Sequence, residues 1–383
     1  MRLLYLSADP GVPVLGHKGA SVHVRELARA LGRLGIEVAI ASPRTEPAGD
    51  SLDAPIALLP LLPVAPEATE LELCTALEAQ RAAVVELARA FGAEAIYERY
   101  SLFSDAGVAA AAALGIPHVL EVNAPLREEA RRFRTLPHPA LAREIERAVY
   151  RRTGRLLAVS PALKTWLEGE GVECDRVDVV PNAIAPERFA PRRERRDGAF
   201  VVGFCGSLKA WHGIELLLDA CRTAFAEEPS LRLELVGSGP LEHLLRDSGL
   251  PADRMLAHGA VPHVNAIECL RGWDAGVAPY LPLDGFYFSP LKVLEYMAAG
   301  LCPVASTLGA IPALLGEGGR GVLVPAGDAG LLAAALVELA RNRRHATELG
   351  RRAREHVLET HTWECNARVV LDALRGRRRE LAA

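Results

Sequence analysis

Short apolar runs alternate with stretches of helical periodicity from one end of the 383-residue chain to the other. Residues 3–7 form the first run. In residues 21–34, Val22, Val24, Leu27, Ala28, Leu31 and Leu34 recur at helical spacing, Gly35 ends the stretch, and residues 36–41 return to strand character. The pattern continues as helix 71–91, strand 95–97, helix 102–114, strand 118–122, a helix near 128–152 and strand 155–159. Residues 181–196 carry three prolines and a run of charges, the composition of a linker. A second series follows: strand 200–205, helix 213–225, strand 231–236, helix 241–248, and strands near 255–257, 275–278 and 302–305. Such alternation predicts an α/β fold with parallel sheets covered on both faces. Two Rossmann-like, doubly wound domains are expected, at 1–185 and 196–360, with a cleft between them. Open parallel sheets bind ligands beyond the carboxyl ends of their strands, so the informative residues should lie in the loops after the strands.

Composition narrows the function classes. The formal net charge is −4, which argues against a nucleic-acid partner. Seven cysteines are scattered without a C-x-x-C pair, the pattern of reduced thiols and not of a disulfide framework or a zinc site. The first ten residues lack a signal peptide's apolar core, and no run approaches the ~20 apolar residues that span a bilayer. A cytoplasmic location is expected, with any membrane contact peripheral.

The loops after the strands hold the chemistry. The first contains Gly11, Gly16 and Gly19 and leads into a helix, but it matches neither the P-loop nor the dinucleotide fingerprint. What it offers is a glycine loop with Lys18 at a helix N-terminus, a setting that favours anions. The second series repeats the arrangement three times: Gly206, Ser207, Lys209 and His212 after one strand, Ser238 and Gly239 after the next, and Tyr287, Phe288, Ser289, Pro290, Leu291, Lys292 and Glu295 before a later helix. Ser289 is placed to cap that helix, with Pro290 at its first position. Lys292 and Glu295, three apart, share a helical face. Only four of the 44 basic residues are lysines, and three of them (Lys18, Lys209, Lys292) fall in glycine loops or at helix starts. The fourth, Lys164, lies on a helix away from these loops. Such a cleft suits a nucleotide diphosphate: helix N-termini and one or two cations offset the phosphates, and a carboxylate accepts hydrogen bonds from the ribose hydroxyls. Lys18, Lys209 and Lys292 are the expected phosphate cations and Glu295 the ribose clamp.

Taken in order, these segments resemble the retaining, family-4 nucleotide-sugar glycosyltransferases of GT-B fold. The resemblance rests on the Gly16–Gly19 loop with its helix, a run from Val180 to Pro191 similar to the family's VPNG-x-D-x-x-x-F-x-P signature, the Gly206 and Gly237 loops, and the segment from Ser289 to Gly300. It implies sugar transfer from a nucleotide diphosphate, UDP with GDP as the alternative, to an acceptor hydroxyl, with retention and with no metal or cofactor. Glu295 matches the second glutamate of the family's E-x7-E motif, and residues around Leu291 would offer backbone N–H groups to the distal phosphate. The partners implied are a nucleotide-sugar donor and a glycan, lipid-linked or small-molecule acceptor held by the first domain. A C-terminal crossover helix, within 361–383, is implied to pack back on that domain.

Several positions depart from the family pattern. The first glutamate of E-x7-E falls on Tyr287, and the phosphate-binding Arg and Lys fall on Ser207 and His212, with Lys209 and Lys292 placed to restore the charge. A histidine of the first domain falls on Asn123, which can bond a hydroxyl but takes up no proton at neutral pH. Lys209, Lys292 and Asn123 are the residues expected to carry the reaction, with Glu98 and Glu121 as weaker general-base candidates. Two alternatives follow from the departures: a non-catalytic nucleotide-sugar-binding subunit, and a GT-B-like epimerase or hydrolase acting on the nucleotide sugar alone. The arginines of 127–155 are interleaved with glutamates and read as a solvated face.

Overall fold

In the computed structural model, which describes residues 1–16, 19–45, 56–193, 198–282 and 285–376, the apolar runs become strands whose side chains alternate between two covered faces. The chain divides into two units, Met1–Pro181 with Trp363–Ala383, and Asn182–Thr362.

The first unit is built on a seven-stranded parallel sheet of β1 (Arg2–Ser7), β2 (Glu37–Ser42), β3 (Ala57–Pro60), β4 (Ala95–Arg99), β5 (His118–Val122), β6 (Arg155–Ala158) and β7 (Val177–Val179), in the order β3-β2-β1-β4-β5-β6-β7. Its helices are α1 (Gly19–Arg33), α2 (Glu70–Phe91), α3 (Ala106–Leu114), α4 (Leu126–Phe133), α5 (Pro139–Arg152) and α6 (Pro161–Gly169). Leu4 and Leu6 of β1 pack with Val84 and Ala88 of α2 and Ala110 of α3 on one face. Helix α2 starts where a capping box forms: the Thr69 hydroxyl accepts the Glu72 N–H, and the Glu72 carboxylate accepts the Thr69 N–H. Two expectations change here. The helix expected over 102–114 begins only at Ala106, because Phe103 takes a left-handed φ of 64°. The one expected near 128–152 is two helices, since Pro137 and Pro139 cannot continue it and His138 between them is left-handed.

The second unit holds a six-stranded parallel sheet of β8 (Phe200–Cys205), β9 (Leu231–Val236), β10 (Met255–Ala257), β11 (Ala275–Ala278), β12 (Cys302–Ser306) and β13 (Val322–Val324), in the order β10-β9-β8-β11-β12-β13. Helices α7 (Ile214–Glu227), α8 (His243–Arg246), α9 (His263–Leu270), α10 (Leu291–Ala299), α11 (Ile311–Leu314), α12 (Ala329–Arg341) and α13 (Arg343–Thr360) cover it. Phe200, Val202 and Phe204 of β8 point into one cluster, with α7 and α12. Val201, between them, points into the other, with Trp273, Tyr296, Met297 and Val357. The helix expected over 241–248 shortens to α8.

The segment read as a linker belongs to this second unit. Asn182 bonds Ser289, Ile184 N–H donates to the His361 carbonyl at 2.9 Å, and Arg192 N–H donates to the Ala299 carbonyl at 3.0 Å. The last helix, α14 (Trp363–Leu374), lies in the first unit and packs against α1; there Trp363 is buried edge-on to the His23 ring, 4.6 Å between centroids. Residues 377–383 lie outside the described ones.

Candidate functional site

The strand order of the second sheet reverses between β8 and β11, and the sequence-predicted residues gather on the loops that follow these two strands and β9. Leaving β8, the chain passes through Gly206, Ser207 and Leu208; the Gly206 N–H donates to the Val236 carbonyl at 2.9 Å, and the Leu208 N–H to the Ser238 carbonyl at 3.0 Å. The loop after β9 therefore lies backbone to backbone against the loop after β8. Gly237, at φ 131°, makes this possible: a Cβ there would sit 2.0 Å from the Gly206 carbonyl oxygen. The two loops that carry Gly206, Ser207, Lys209 and His212 on one side and Ser238 and Gly239 on the other are thus brought together.

Lys292 lies beneath this loop. Its Nζ is fully buried with no hydrogen-bond partner, and it stands 4.2 Å from the centroid of the Phe204 ring and 5.3 Å from that of Tyr280. A Cβ on Gly206, whose φ is 145°, would come within 2.9 Å of that nitrogen, so glycine at 206 leaves the ammonium room against the loop backbone. Burial pushes the Lys292 ammonium down to about 7, against the opposing pull of Cys205 and Glu295. Lys209 differs. It is half-buried at the end of the loop, with Nζ 4.7 Å from the centroid of the Trp211 ring.

His212 supplies no charge at neutral pH. Its Nδ1–H donates to the Ser207 carbonyl at 2.6 Å; burial and then Lys292 push the ring down to about 4, although that carbonyl favours the protonated form. The position therefore braces the loop as a neutral donor.

Two expectations at the start of α10 are corrected. Ser289 does not cap the helix: its Oγ accepts the Asn182 N–H, and its carbonyl accepts the Asn182 side-chain amide, both at 2.8 Å. Pro290 is the capping residue and not the first helical one, Leu291 begins the helix, and no side-chain bond caps it. The first two N–H groups of such a helix have no intrahelical partner, while that of Val293 donates to the Pro290 carbonyl at 3.0 Å. Glu295 turns away from Lys292 in its bonding, since its Oε1 pairs with Nε2 of His263 at 2.8 Å. Tyr287 and Phe288, half-buried, stack at 4.5 Å between centroids, and Phe288 meets the buried Phe286 at 5.3 Å. Among the described residues no three His, Cys, Asp or Glu side chains converge on a metal position.

Gly16, Gly19 and Asn123 belong to the first unit, and Lys18 lies outside the described residues. Gly19 opens α1. Gly16 sits in a loop fastened by a residue the sequence reading passed over: the buried Arg25 donates from Nη1 to the carbonyls of Val14 and Gly16, both at 2.6 Å. The amide of Asn123 donates to Oε1 of Glu121, which also receives His23 Nε2 at 2.8 Å and Arg99 at 3.2 Å, while Tyr97 O–H donates to Oε2. Burial opposes ionisation of Glu121, yet His23, Arg99 and the Tyr97 hydroxyl carry it down to about 2. A carboxylate so saturated makes a poor general base, and Glu121 loses that assignment. Glu98, fully buried, pairs with His118 at 3.0 Å beneath α3, where a Cβ on Gly107 would meet it at 2.2 Å. It has no route to an acceptor there, and it too is structural. Lys164 donates to the Val177 carbonyl at 2.9 Å, tying α6 to β7.

Two family models match the chain: residues 17–188 fit "Glycosyltransferase Family 4" and residues 199–342 fit "Glycosyl transferases group 1". A D-inositol 3-phosphate glycosyltransferase of Paenarthrobacter aurescens is 26% identical over 96% of this chain and 94% of its own. The chain is a family-4 glycosyltransferase of GT-B fold. Over about half of either chain, this glycosyltransferase is 32% identical to a phosphatidyl-myo-inositol mannosyltransferase of Mycolicibacterium smegmatis. Its fold is shared with the sucrose-phosphate synthase of Thermosynechococcus elongatus (20% identity, 98% of both chains, TM-score 0.74). The same holds for Anabaena HepE solved with UDP (17% identity, 98% of this chain and all of that one, TM-score 0.72). No described helix of the glycosyltransferase is long and apolar enough to cross a membrane.

Proposed function

We propose that the glycosyltransferase binds a nucleotide-diphosphate sugar on the loops after β8, β9 and β11, and passes the sugar to an acceptor hydroxyl with retention and without a required metal. The observation that carries this reading is the buried, unpartnered ammonium of Lys292 beneath Gly206, at the uncapped N-terminus of α10. A buried cation held only against the rings of Phe204 and Tyr280, with no hydrogen-bond partner, is costly, and a diphosphate arriving at the loop supplies the opposite charge. Lys209 adds a second cation at the loop surface, the first amides of α10 bond the distal phosphate, and Glu295, held by His263, accepts the ribose hydroxyls. Ser207, Ser238, Gly239, Tyr287 and Phe288 border the donor.

In the reaction the bond from the sugar's C1 to the distal phosphate oxygen breaks, and a bond from C1 to the acceptor oxygen forms on the same face. The acceptor's proton goes to the departing phosphate oxygen, whose developing charge Lys209, Lys292 and the helix amides stabilise. No protein base is needed. That fits the loss of Glu121 and Glu98 from the role and leaves Asn123 to orient a hydroxyl. UDP is the proposed carrier, with GDP as the alternative.

A thermal-shift screen of UDP, GDP, ADP and TDP, each with and without EDTA, tests the donor half. A nucleotide at a hundred times its Kd adds roughly 2.7 kcal/mol of stability. One nucleotide acting equally in EDTA supports the reading; no response to any of the four contradicts it. Donor binding with no product from any acceptor would favour the binding-subunit alternative, which the neutral His212 and saturated Glu121 keep in view. Donor consumed without an acceptor would favour the epimerase or hydrolase.

A further inference from the structure

The first unit has a cavity of about 220 Å³ where β6 and β7 begin, between the last turn of α5 and the connection from α6 into β7. Open parallel sheets receive their substrates at the opposite, carboxyl ends of the strands, so this cavity lies outside the usual place for the reaction. Among the described residues its charged lining is three guanidiniums, those of Arg147, Arg151 and Arg176, and one carboxylate, Glu170. None of the four has a part in the donor site.

Arg147 and Arg151 stand four apart on α5, a spacing at which like charges face each other and repel. Arg176 is engaged: its Nη2 donates to the carbonyls of Tyr150 at 2.9 Å and Arg151 at 3.2 Å, and to that of Thr153. It thereby covers the carbonyls at the C-terminal end of α5, which would otherwise present negative charge to the cavity. Glu170 is held through one oxygen, Oε1, to which Arg127 Nη2 donates at 2.9 Å. Its other oxygen, Oε2, is buried without a hydrogen-bond partner, and so is Nε of Arg147, 4.0 Å away. At that separation the two make no hydrogen bond to each other. A buried donor and a buried acceptor are left side by side, each costly until something bonds it.

That pair defines its complement. A guanidinium only donates and an ionised carboxylate only accepts, so the ligand must accept from the arginines and give one proton to Glu170. Hydrogen phosphate does both, because it keeps one hydroxyl beside its charged oxygens at neutral pH. Sulfate has the same tetrahedral shape and no proton, and would set an oxygen against Glu170 Oε2. We propose that this cavity is a binding site for inorganic phosphate, in which Arg147 and Arg151 take the charged oxygens and Glu170 accepts the hydroxyl. A phosphate monoester, which loses its last proton at about pH 6, is disfavoured above that pH for the same reason as sulfate. Arg127 also donates to Glu146 of α5 at 2.7 Å, so Glu170, just beyond α6, is tied to α4 and α5 as well. An occupied cavity therefore fastens three helices of the first unit together. The site stands whether or not the donor loops bind a nucleotide sugar.

Calorimetric titration of the full chain with sodium phosphate, sodium sulfate and glycerol 3-phosphate, at about pH 8 so that the monoester is fully ionised, tests it. Phosphate should bind at least about tenfold tighter than either of the others, the difference one hydrogen bond to a charged group makes. Glu170→Gln should bring phosphate and sulfate within about threefold of each other, since an amide donates to sulfate as readily as it accepts from phosphate. Arg151→Gln, at an exposed position, should weaken both anions by about tenfold and keep their ratio. Arg143→Gln, on the same helix but outside the lining, should change neither. Lys209→Ala separates this site from the donor loops and should leave phosphate binding as it is. Equal affinity for phosphate and sulfate in the natural chain, or no binding of phosphate at all, would overturn the proposal. So would a loss in Lys209→Ala as large as that in Arg151→Gln. If Glu170→Gln fails to fold, the ratio in the natural chain and the response of Arg151→Gln decide the matter.

Discussion

The orphaned ammonium of Lys292 makes opposite predictions for stability and for binding. Replacing it with methionine fills the same space without a buried charge, so Lys292→Met should melt higher than the natural protein, by ~1 °C for each kcal/mol gained in a chain this size. The same variant should weaken nucleotide-diphosphate binding by ~1.5–3 kcal/mol, the range for hydrogen bonds to charged groups. The stability gain has a pH signature. Burial holds the folded ammonium at about 7 against an ordinary 10.5, so between those values the unfolded chain binds the extra proton. Stability of the natural protein therefore rises with pH across that window, and the methionine variant's advantage shrinks. Thermal unfolding at a series of pH values checks this; an advantage constant from pH 7 to 10 would contradict it. Lys209→Ala should weaken the donor by a similar amount. Lys164→Ala should leave donor affinity unchanged and cost only the bond to Val177. At Glu121 the slope has the same sign, but the charged form is the stabilising one: its carboxyl is held at about 2 against an ordinary 4.5, so its contribution is present above 4.5 and lost as pH falls toward 2. Glu121→Gln should flatten the acid limb of the unfolding profile, while costing ~3–5 kcal/mol near neutrality because His23 and Arg99 lose their buried partner.

At the level of elements, the sequence was most legible where burial is most complete. β1, β5 and β8 read directly as strands because nearly every residue is buried, on both faces. The three strands not anticipated, β3, β7 and β13, all lie at sheet edges, where they are short and half-exposed and show no continuous apolar run. The donor loops were legible because glycine and a rare lysine mark them locally. The Glu121 cluster was not, since His23 and Glu121 are 98 residues apart and only the packing of α1 against the sheet joins them. Arg25 was hidden for a different reason: within α1 it resembles any surface arginine, and only the fold turns it inward to the loop carbonyls. It yields an element-scale prediction. Arg25→Met should leave α1 folded but free the loop of residues 9–16, raising amide hydrogen exchange there well above that of β1. Unchanged exchange in that loop would mean the two carbonyl bonds do not fasten it.

Across the whole molecule, the chain leaves its first unit at Pro181 and returns to it at Trp363. The return is fixed by Trp363 against His23 and by the Asn366 side chain donating to the Pro181 carbonyl at 2.8 Å. Removing residues from 363 onward should therefore destabilise the first unit and spare the second, which limited proteolysis with mass mapping would show as cleavage confined to residues 1–181. Cleavage spread equally through both units would contradict that division. The family matches span both units, and the charge proposed to meet a donor's phosphates comes from two lysines: His212 is neutral at pH 7, Lys209 stands at the end of the loop after β8, and Lys292 of α10 lies beneath it. Calorimetric titration of UDP in EDTA into the natural protein and into Lys292→Met is the most direct test of this account. Binding by the natural protein, and affinity ~10- to 150-fold lower in a variant that melts higher, is the predicted result; equal affinity in the two proteins would remove Lys292 from the donor site and the account's central support with it.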